Sequence, residues 1–188
     1  MQKAVQERGA DPDGRRDMLL RHVRATDYER AVSLAEAWWD ERPRGVRLAR
    51  VFFVQFASMS FVLEEDEKIL GLVLGHLSQT RPDEASAYFV GVDPACRRLG
   101  MGRRLYERFF AAAQMRERRA VRAYVVPTDS DALAFHFALG FEALPGDGVV
   151  DGVPVCLDHG GRGSHRVIFR RAIGPEVPAD PPALVRLG

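Results

Sequence analysis

The spacing of apolar residues changes several times along the chain, and each change predicts an element. Leu19 to Arg24 alternates as a strand does, and Thr26 with Glu29 three residues on has the spacing of a capping box that opens a helix through Trp39. Pro43 and Gly45 interrupt the chain, after which Val46 to Ala57 reads as a second helical segment. Ser60 to Glu65 and Ile69 to Leu77 form two strands joined by the charged turn Asp66-Glu67-Lys68, a hairpin. Thr80-Arg81-Pro82-Asp83 punctuates the chain before the apolar strand Ser86 to Val92, which Asp93-Pro94 ends because proline cannot donate to a ladder.

Arg97 to Gly102 is a glycine-bearing loop, and Leu105, Phe109, Ala112, Ala113 and Met115 then fall at helical spacing between arginines. They predict an amphipathic helix to about Arg118. Ala120 to Val126 is a strand, Asp129 to Leu139 a helix, and Gly140 the left-handed residue expected just past a helix C-terminus. Phe141 to Leu144 and Arg166 to Ala172 are further strands. Between them Pro145 to Gly163, rich in glycine and aspartate, is a long loop that either forms part of a substrate lid or is disordered. The expectation is a single α/β domain over 18–173, preceded by a flexible leader over 1–17 and followed by an extended proline-rich tail over 174–188.

Composition narrows this picture. The chain has 188 residues, 46% hydrophobic and 28% charged, and a formal net charge of +1, which gives no global drive toward nucleic acid or acidic lipid. The longest uncharged apolar stretch, Val51 to Leu63, is shorter than the ~20 residues that span a bilayer, so no membrane partner is expected. The first seventeen residues lack the apolar core of a secretory signal, so a cytoplasmic location follows by default. Cys96 and Cys156 have neither paired nor zinc-ligand spacing, and no metal is expected.

The strongest candidate for chemistry runs from Val90 to Arg103. Gly100 and Gly102 permit close backbone approach, while the following helix presents unpaired N–H groups and its positive dipole end. A diphosphate fits such a loop. Charge-assisted hydrogen bonds of roughly 1.5–3 kcal/mol each give Arg97, Arg98 or Arg103 a part in anion binding. A Walker loop would need Gly-Lys-Ser/Thr at its end and a dinucleotide fingerprint would need GxGxxG, and neither matches.

Arg97-x-x-Gly100-x-Gly102 between an apolar strand and a long helix resembles motif A of the GCN5-related N-acetyltransferase (GNAT) superfamily. Downstream, Ala134-Phe135-His136-Phe137-Ala138-Leu139-Gly140-Phe141 resembles its motif B, and the resemblance covers roughly Met18 to Ala172. It implies a mixed, mostly antiparallel central sheet, splayed after its fourth strand and flanked by helices, with the pantetheine arm of coenzyme A in the splay. It implies acetyl-CoA as acyl donor and an amine as acceptor, a small molecule or peptide whose identity stays open. Arg97, Arg98, Leu99, Gly100, Met101, Gly102 and Arg103 would hold the coenzyme, with Asp129 and Phe135 beside it.

Such a reaction needs donors for an oxyanion, an acid for the thiolate and a base for the ammonium. By resemblance, the backbone N–H of Val90 or Val92 serves the first. His136 stands where the family usually has a tyrosine and is the candidate acid, or a hydrogen-bonded structural residue. Glu84, expected on one face with Tyr88 and Val90, is the candidate base, or a solvated strand-edge charge; His76, Tyr88 and His165 are further candidates. Asp129 either stands near the coenzyme, as the resemblance implies, or only caps its helix. Trp38 and Trp39 would pack or line an acceptor pocket, and Asp147, Asp151 and Asp158 would attract an amine or only turn the chain. The alternative function is a non-catalytic acyl-CoA-binding module, permitted by the missing tyrosine. A nucleic-acid surface over Arg97 to Arg122 is disfavoured because Glu107 and Glu117 interrupt it. The last strand and tail leave a homodimer open.

Overall fold

The hydrophobic periodicity resolves, in the computed structural model, into nine strands and four α-helices among the described residues, 18–38 and 48–174. In chain order they are β1 (Leu19–His22), α1 (Tyr28–Trp38), α2 (Val51–Val54), β2 (Phe61–Glu65), β3 (Lys68–Leu77), β4 (Glu84–Val92) and α3 (Met101–Gln114). There follow β5 (Ala120–Val125), α4 (Ser130–Ala138), β6 (Glu142–Ala143), β7 (Gly148–Val150), β8 (Val153–Val155) and β9 (Val167–Ala172). The expected leader over 1–17, Trp39 and the tail from residue 175 lie outside the described residues. No described helix is long and apolar enough to cross a membrane.

Seven strands form one mixed sheet in the order β1-β2-β3-β4-β5-β9-β6, in which β4 and β5 are the parallel pair. One face is covered by α3 and α4 over a core that includes Phe61, Leu63, Val73, Leu105, Phe109, Val121 and Phe169. On the other face α1 and α2 pack over Val62, Leu72, Leu74 and Phe89. Gly75 sets the closeness of the first layer: a Cβ there would stand 2.4 Å from the Phe109 ring and 2.5 Å from the Ser86 carbonyl oxygen.

Several elements differ from the sequence reading. The entry to α1 is organised by buried Asp27 rather than by Thr26 and Glu29. Asp27 accepts a 2.7 Å bond from the Arg24 N–H, and Arg21 donates to both Asp27 and Glu64. Among the described residues of the second helical segment, α2 spans four residues and is followed by a 3-10 turn over Ala57–Met59. Helix α3 ends at Gln114, and Glu117 turns the chain at φ 61°. The strand expected after Gly140 is cut to two residues. The long loop contains the hairpin β7–β8, turned by Asp151-Gly152 at φ 49° and 79°, a left-handed pair whose twist suits a two-residue hairpin.

Two features of β4 prepare the site. Its pairing with β5 stops at Ala87 opposite Ala123. Beyond that point β4 continues along β3 to Val92, while β5 follows β9 to Val125, so the two strands part. At the same place Leu74 lies opposite Phe89 and Gly75 opposite Ala87, which leaves Tyr88 as a bulged extra residue. The bulge reverses the alternation. Ala85 and Ala87 join the α3-side core, Phe89 joins the α1-side core, and Val90 and Val92 pack toward α3 again. Glu84 and Val90, expected on one face, therefore lie on opposite faces of the sheet.

Candidate active site

The turn from β4 into α3 is held from within. The Asp93 carboxylate accepts a 3.0 Å bond from the Ala95 N–H and pairs with Lys68 at 3.1 Å, which fixes the 3-10 turn Pro94–Cys96. Arg98 and Gly100 then take left-handed conformations, φ 62° and 81°, and Gly100 caps α3. A Cβ on Gly100 would meet nothing within 4 Å, so the backbone demands glycine while the space beside it stays open. From Arg98 to Arg103, six consecutive backbone N–H groups find no acceptor among the described residues. With the dipole of a 14-residue helix behind them, they form a concave cluster of donors suited to an anion of several oxygens.

Gly102 serves a second purpose. A Cβ there would approach the Phe135 ring to 2.8 Å, so the missing side chain lets α4 lean on the start of α3. Arg97 donates to the carbonyls of Trp38 and Val92, both at 3.4 Å, and Arg103 to that of Ala138 at 3.5 Å, so these two guanidiniums brace the loop. The exposed Arg98 side chain makes no such bond, and Leu99 is 68% exposed.

The parted strands lie beside this loop. The Asp93 N–H donates to the Leu70 carbonyl at 2.9 Å, and in an antiparallel ladder the direction of successive N–H groups alternates. Phe89 and Gly91 therefore donate toward β3. Val90 and Val92 turn their N–H groups the other way, into the gap that β5 has left. A loop of free donors and a strand edge with two more thus face one opening.

The sequence from residue 21 to 141 matches the family model described as the acetyltransferase (GNAT) family. The chain belongs to that family. Solved structures agree in fold. The ribosomal-protein-S18-alanine N-acetyltransferase of Escherichia coli superposes with a TM-score of 0.60 at 19% identity, covering 86% of this chain and 97% of its own. A Salmonella typhimurium putative acetyltransferase, solved with acetyl-CoA, gives 0.63 at 16% identity with coverages of 87% and 98%. The Paenibacillus lautus diaminobutyrate acetyltransferase, solved with its substrate and coenzyme A, gives 0.63 at 14% identity with coverages of 87% and 99%. A search among curated proteins returns no match.

Within this GNAT domain the two side chains selected for proton transfer are placed unexpectedly. His136 is buried among Tyr106, Phe135, Phe141 and Phe169. Its Nδ1–H donates to the Ala132 carbonyl at 2.7 Å, which leaves Nε2 bare to accept from the Tyr106 hydroxyl at 2.7 Å. Burial pushes the imidazole below the ordinary histidine range despite the bond to Ala132, and pushes the Tyr106 hydroxyl up. In this arrangement the ring presents no free proton to the opening. Glu84 accepts from Arg122 Nε and, at 2.9 Å, from Arg170 Nε, with Arg81 at 3.8 Å. Burial alone would raise its pKa; the hydrogen bonds and charges of Arg122 and Arg170 outweigh it and hold the carboxyl below the usual range, which makes it a weak base.

The other named residues take structural places. Asp129 caps α4, accepting from the Ala132 N–H at 3.1 Å. Trp38 is buried in the α1-side core. His76 lies against Phe52 and Phe56, its Nδ1 buried without a partner, and burial lowers its pKa. Asp147 and Asp158 accept backbone N–H bonds within their own loop, and His165 accepts one from Asp158. At the mouth of the opening on the α1 side, sequence reasoning named Tyr88 only as a further candidate base and missed its neighbours. Tyr88 stacks on Phe52 at 4.5 Å, Tyr124 stacks on His159 at 5.1 Å, and the Tyr124 hydroxyl lies 3.5 Å from Ser86 Oγ. Only Tyr124 carried a local signal, as a polar group ending an apolar strand.

Proposed function

We propose that the protein is an acetyl-CoA-dependent N-acetyltransferase that moves the acetyl group to a primary amine of a small molecule or peptide by direct attack through a tetrahedral intermediate. One observation carries this reading: the N–H groups from Arg98 to Arg103 have no acceptor among the described residues, and those of Val90 and Val92, a few residues upstream, point away from β3 on the edge that β5 has left. The diphosphate of the donor would sit on the loop, and its pantetheine arm would run along the unpaired edge of β4. The complexes of the Salmonella and Paenibacillus proteins with acetyl-CoA or coenzyme A support that choice of donor.

The amine nitrogen forms a bond to the thioester carbon, and the N–H of Val90 or Val92 holds the oxyanion where charge develops. The C–S bond then breaks, the thiolate leaves with the sulfur's electron pair, and the proton still carried by the new amide nitrogen passes to the thiolate or to water. Thiols ionise near a pKa of about 8.5, so the thiolate is a competent leaving group without an obligatory protein acid. His136 then acts by position, joining α4 to α3 through Tyr106. An alkylammonium must lose a proton to water before it attacks; Tyr124 and His159, stacked at 5.1 Å, stand just past Ala123, the last β5 residue paired with β4.

The buried His136 also favours a second reading, a domain that binds acyl-CoA without turnover. Calorimetric titration with acetyl-CoA, beside thiol release in the presence of an amine panel, separates the two. The transfer reading expects micromolar binding that Gly100→Asp abolishes, together with amine-dependent thiol release. Binding without release across the panel selects the second reading, and no binding by the folded wild type overturns both.

A further inference from the structure

The α1-side face of the sheet holds a charge arrangement that the transfer step leaves unused. Beyond Phe89 the helices no longer cover this face, and Glu84 and Ser86 of β4, Arg122 and Tyr124 of β5, and Arg170 of β9 occupy it together. Register confirms the grouping: Arg122 lies opposite both Ser86 and Arg170. Three guanidiniums surround the single Glu84 carboxylate. Arg122 and Arg170 each spend only Nε on it, and their terminal nitrogens bond to nothing among the described residues. Their side chains are 16% and 37% exposed, so Arg122 in particular is held in a partly dry setting with its donors still open.

A planar fork with free paired donors, fixed from behind by a carboxylate, is built to receive a second carboxylate. Arg122 precedes Tyr124 by two residues on the same face, which puts the fork about 7 Å from the mouth of the opening at roughly 3.3 Å per strand residue. Resting on the acyl-transfer reading above, we infer that the preferred acceptor is an amine carrying a carboxylate several bonds away, bound by Arg122 and Arg170 while its nitrogen enters the gap beside Tyr124. Glu84 is then a positioning residue, which holds the two guanidiniums parallel and prevents them from repelling each other apart. Acceptors with the acid on the adjoining carbon are too short to reach both points.

The test uses the full chain with acetyl-CoA and two matched acceptors, hexanoate bearing a terminal amine and the primary amide of the same molecule. Thiol release should give a kcat/KM roughly tenfold or more higher for the acid, mostly through KM, in line with a charge-assisted pair. Arg122→Gln and Arg170→Gln should bring the acid-to-amide ratio toward one, with Arg170→Lys keeping part of the preference because charge remains while the fork is lost. A wild-type ratio near one overturns the inference without any variant, and leaves acyl transfer standing if both acceptors turn over. If neither acceptor releases thiol, calorimetry of the acid and the amide with donor-free protein still decides: binding of the acid that Arg122→Gln removes supports the site, and equal or absent binding of the two rejects it.

Discussion

The two faces of the sheet at the β4–β5 gap solve different problems. Toward α3 the face is apolar from Phe61 to Phe169 apart from the buried Tyr106–His136 pair, and the polar groups at its edge are backbone N–H donors at the start of α3 and on β4. Toward α1 the apolar cover stops near Phe89 and gives way to arginines, a carboxylate, a serine and aromatic hydroxyls. A ligand recognised through the backbone leaves every side chain free for packing. A ligand recognised by its own functional group needs side chains, and a polar face gives up burial to provide them.

That contrast can be broken most severely from the α3 side. Phe109 is fully buried against Gly75, and Phe109→Ala should cost about 3–5 kcal/mol, read as a lower urea midpoint. A loss under about 1 kcal/mol would show that this face is not the main store of stability. On the polar face, Glu84→Gln removes the charge that joins two strands' arginines and should cost about 1–3 kcal/mol while weakening any preference for acidic acceptors. Equal stability and unchanged acceptor preference would reduce Glu84 to a bystander.

Acid should sharpen the same comparison. His136 is held neutral below its ordinary pKa, so the unfolded chain binds the extra proton; its contribution is complete above about pH 6.5 and is lost as pH falls from there. The Tm should therefore drop between neutral pH and pH 5, by an amount reflecting at most about 1.4 kcal/mol per pH unit for each such histidine. His136→Phe should flatten part of this slope, with His22 and His76, also lowered by burial, keeping the rest. A slope unchanged by the variant would place the effect elsewhere. The smallest effect on stability should come from Tyr88→Ala, under about 1 kcal/mol because the ring is 45% exposed, while KM for the acceptor rises. An unaltered KM would remove Tyr88 from the acceptor path.

The turn from β4 into α3 was legible because its instructions are local. Arg97-x-x-Gly100-x-Gly102 names a strand-loop-helix turn by the conformations its residues accept, and Gly140 marks a helix end for the same reason. The hairpin β7–β8 was read as part of one long loop: Asp151-Gly152 stands between short valine runs, but strands of three residues offer too little alternation to separate from loop. Glu84 and His136 were found as residues but not as roles. The groups that define them, Arg122 and Arg170 for one and Tyr106 for the other, lie 38, 86 and 30 residues away.

The sequence by itself determined the α/β class, the glycine loop at the head of α3, the family resemblance and the order of its motifs, because backbone conformation and hydrophobic period are set among neighbours. Tertiary structure alone decided that Tyr88 bulges, that the bulge moves Val90 away from the face of Glu84, and that His136 turns inward. Those outcomes depend on pairing register and on which side chain fills a given gap, and both are properties of segments that meet only when the sheet has closed.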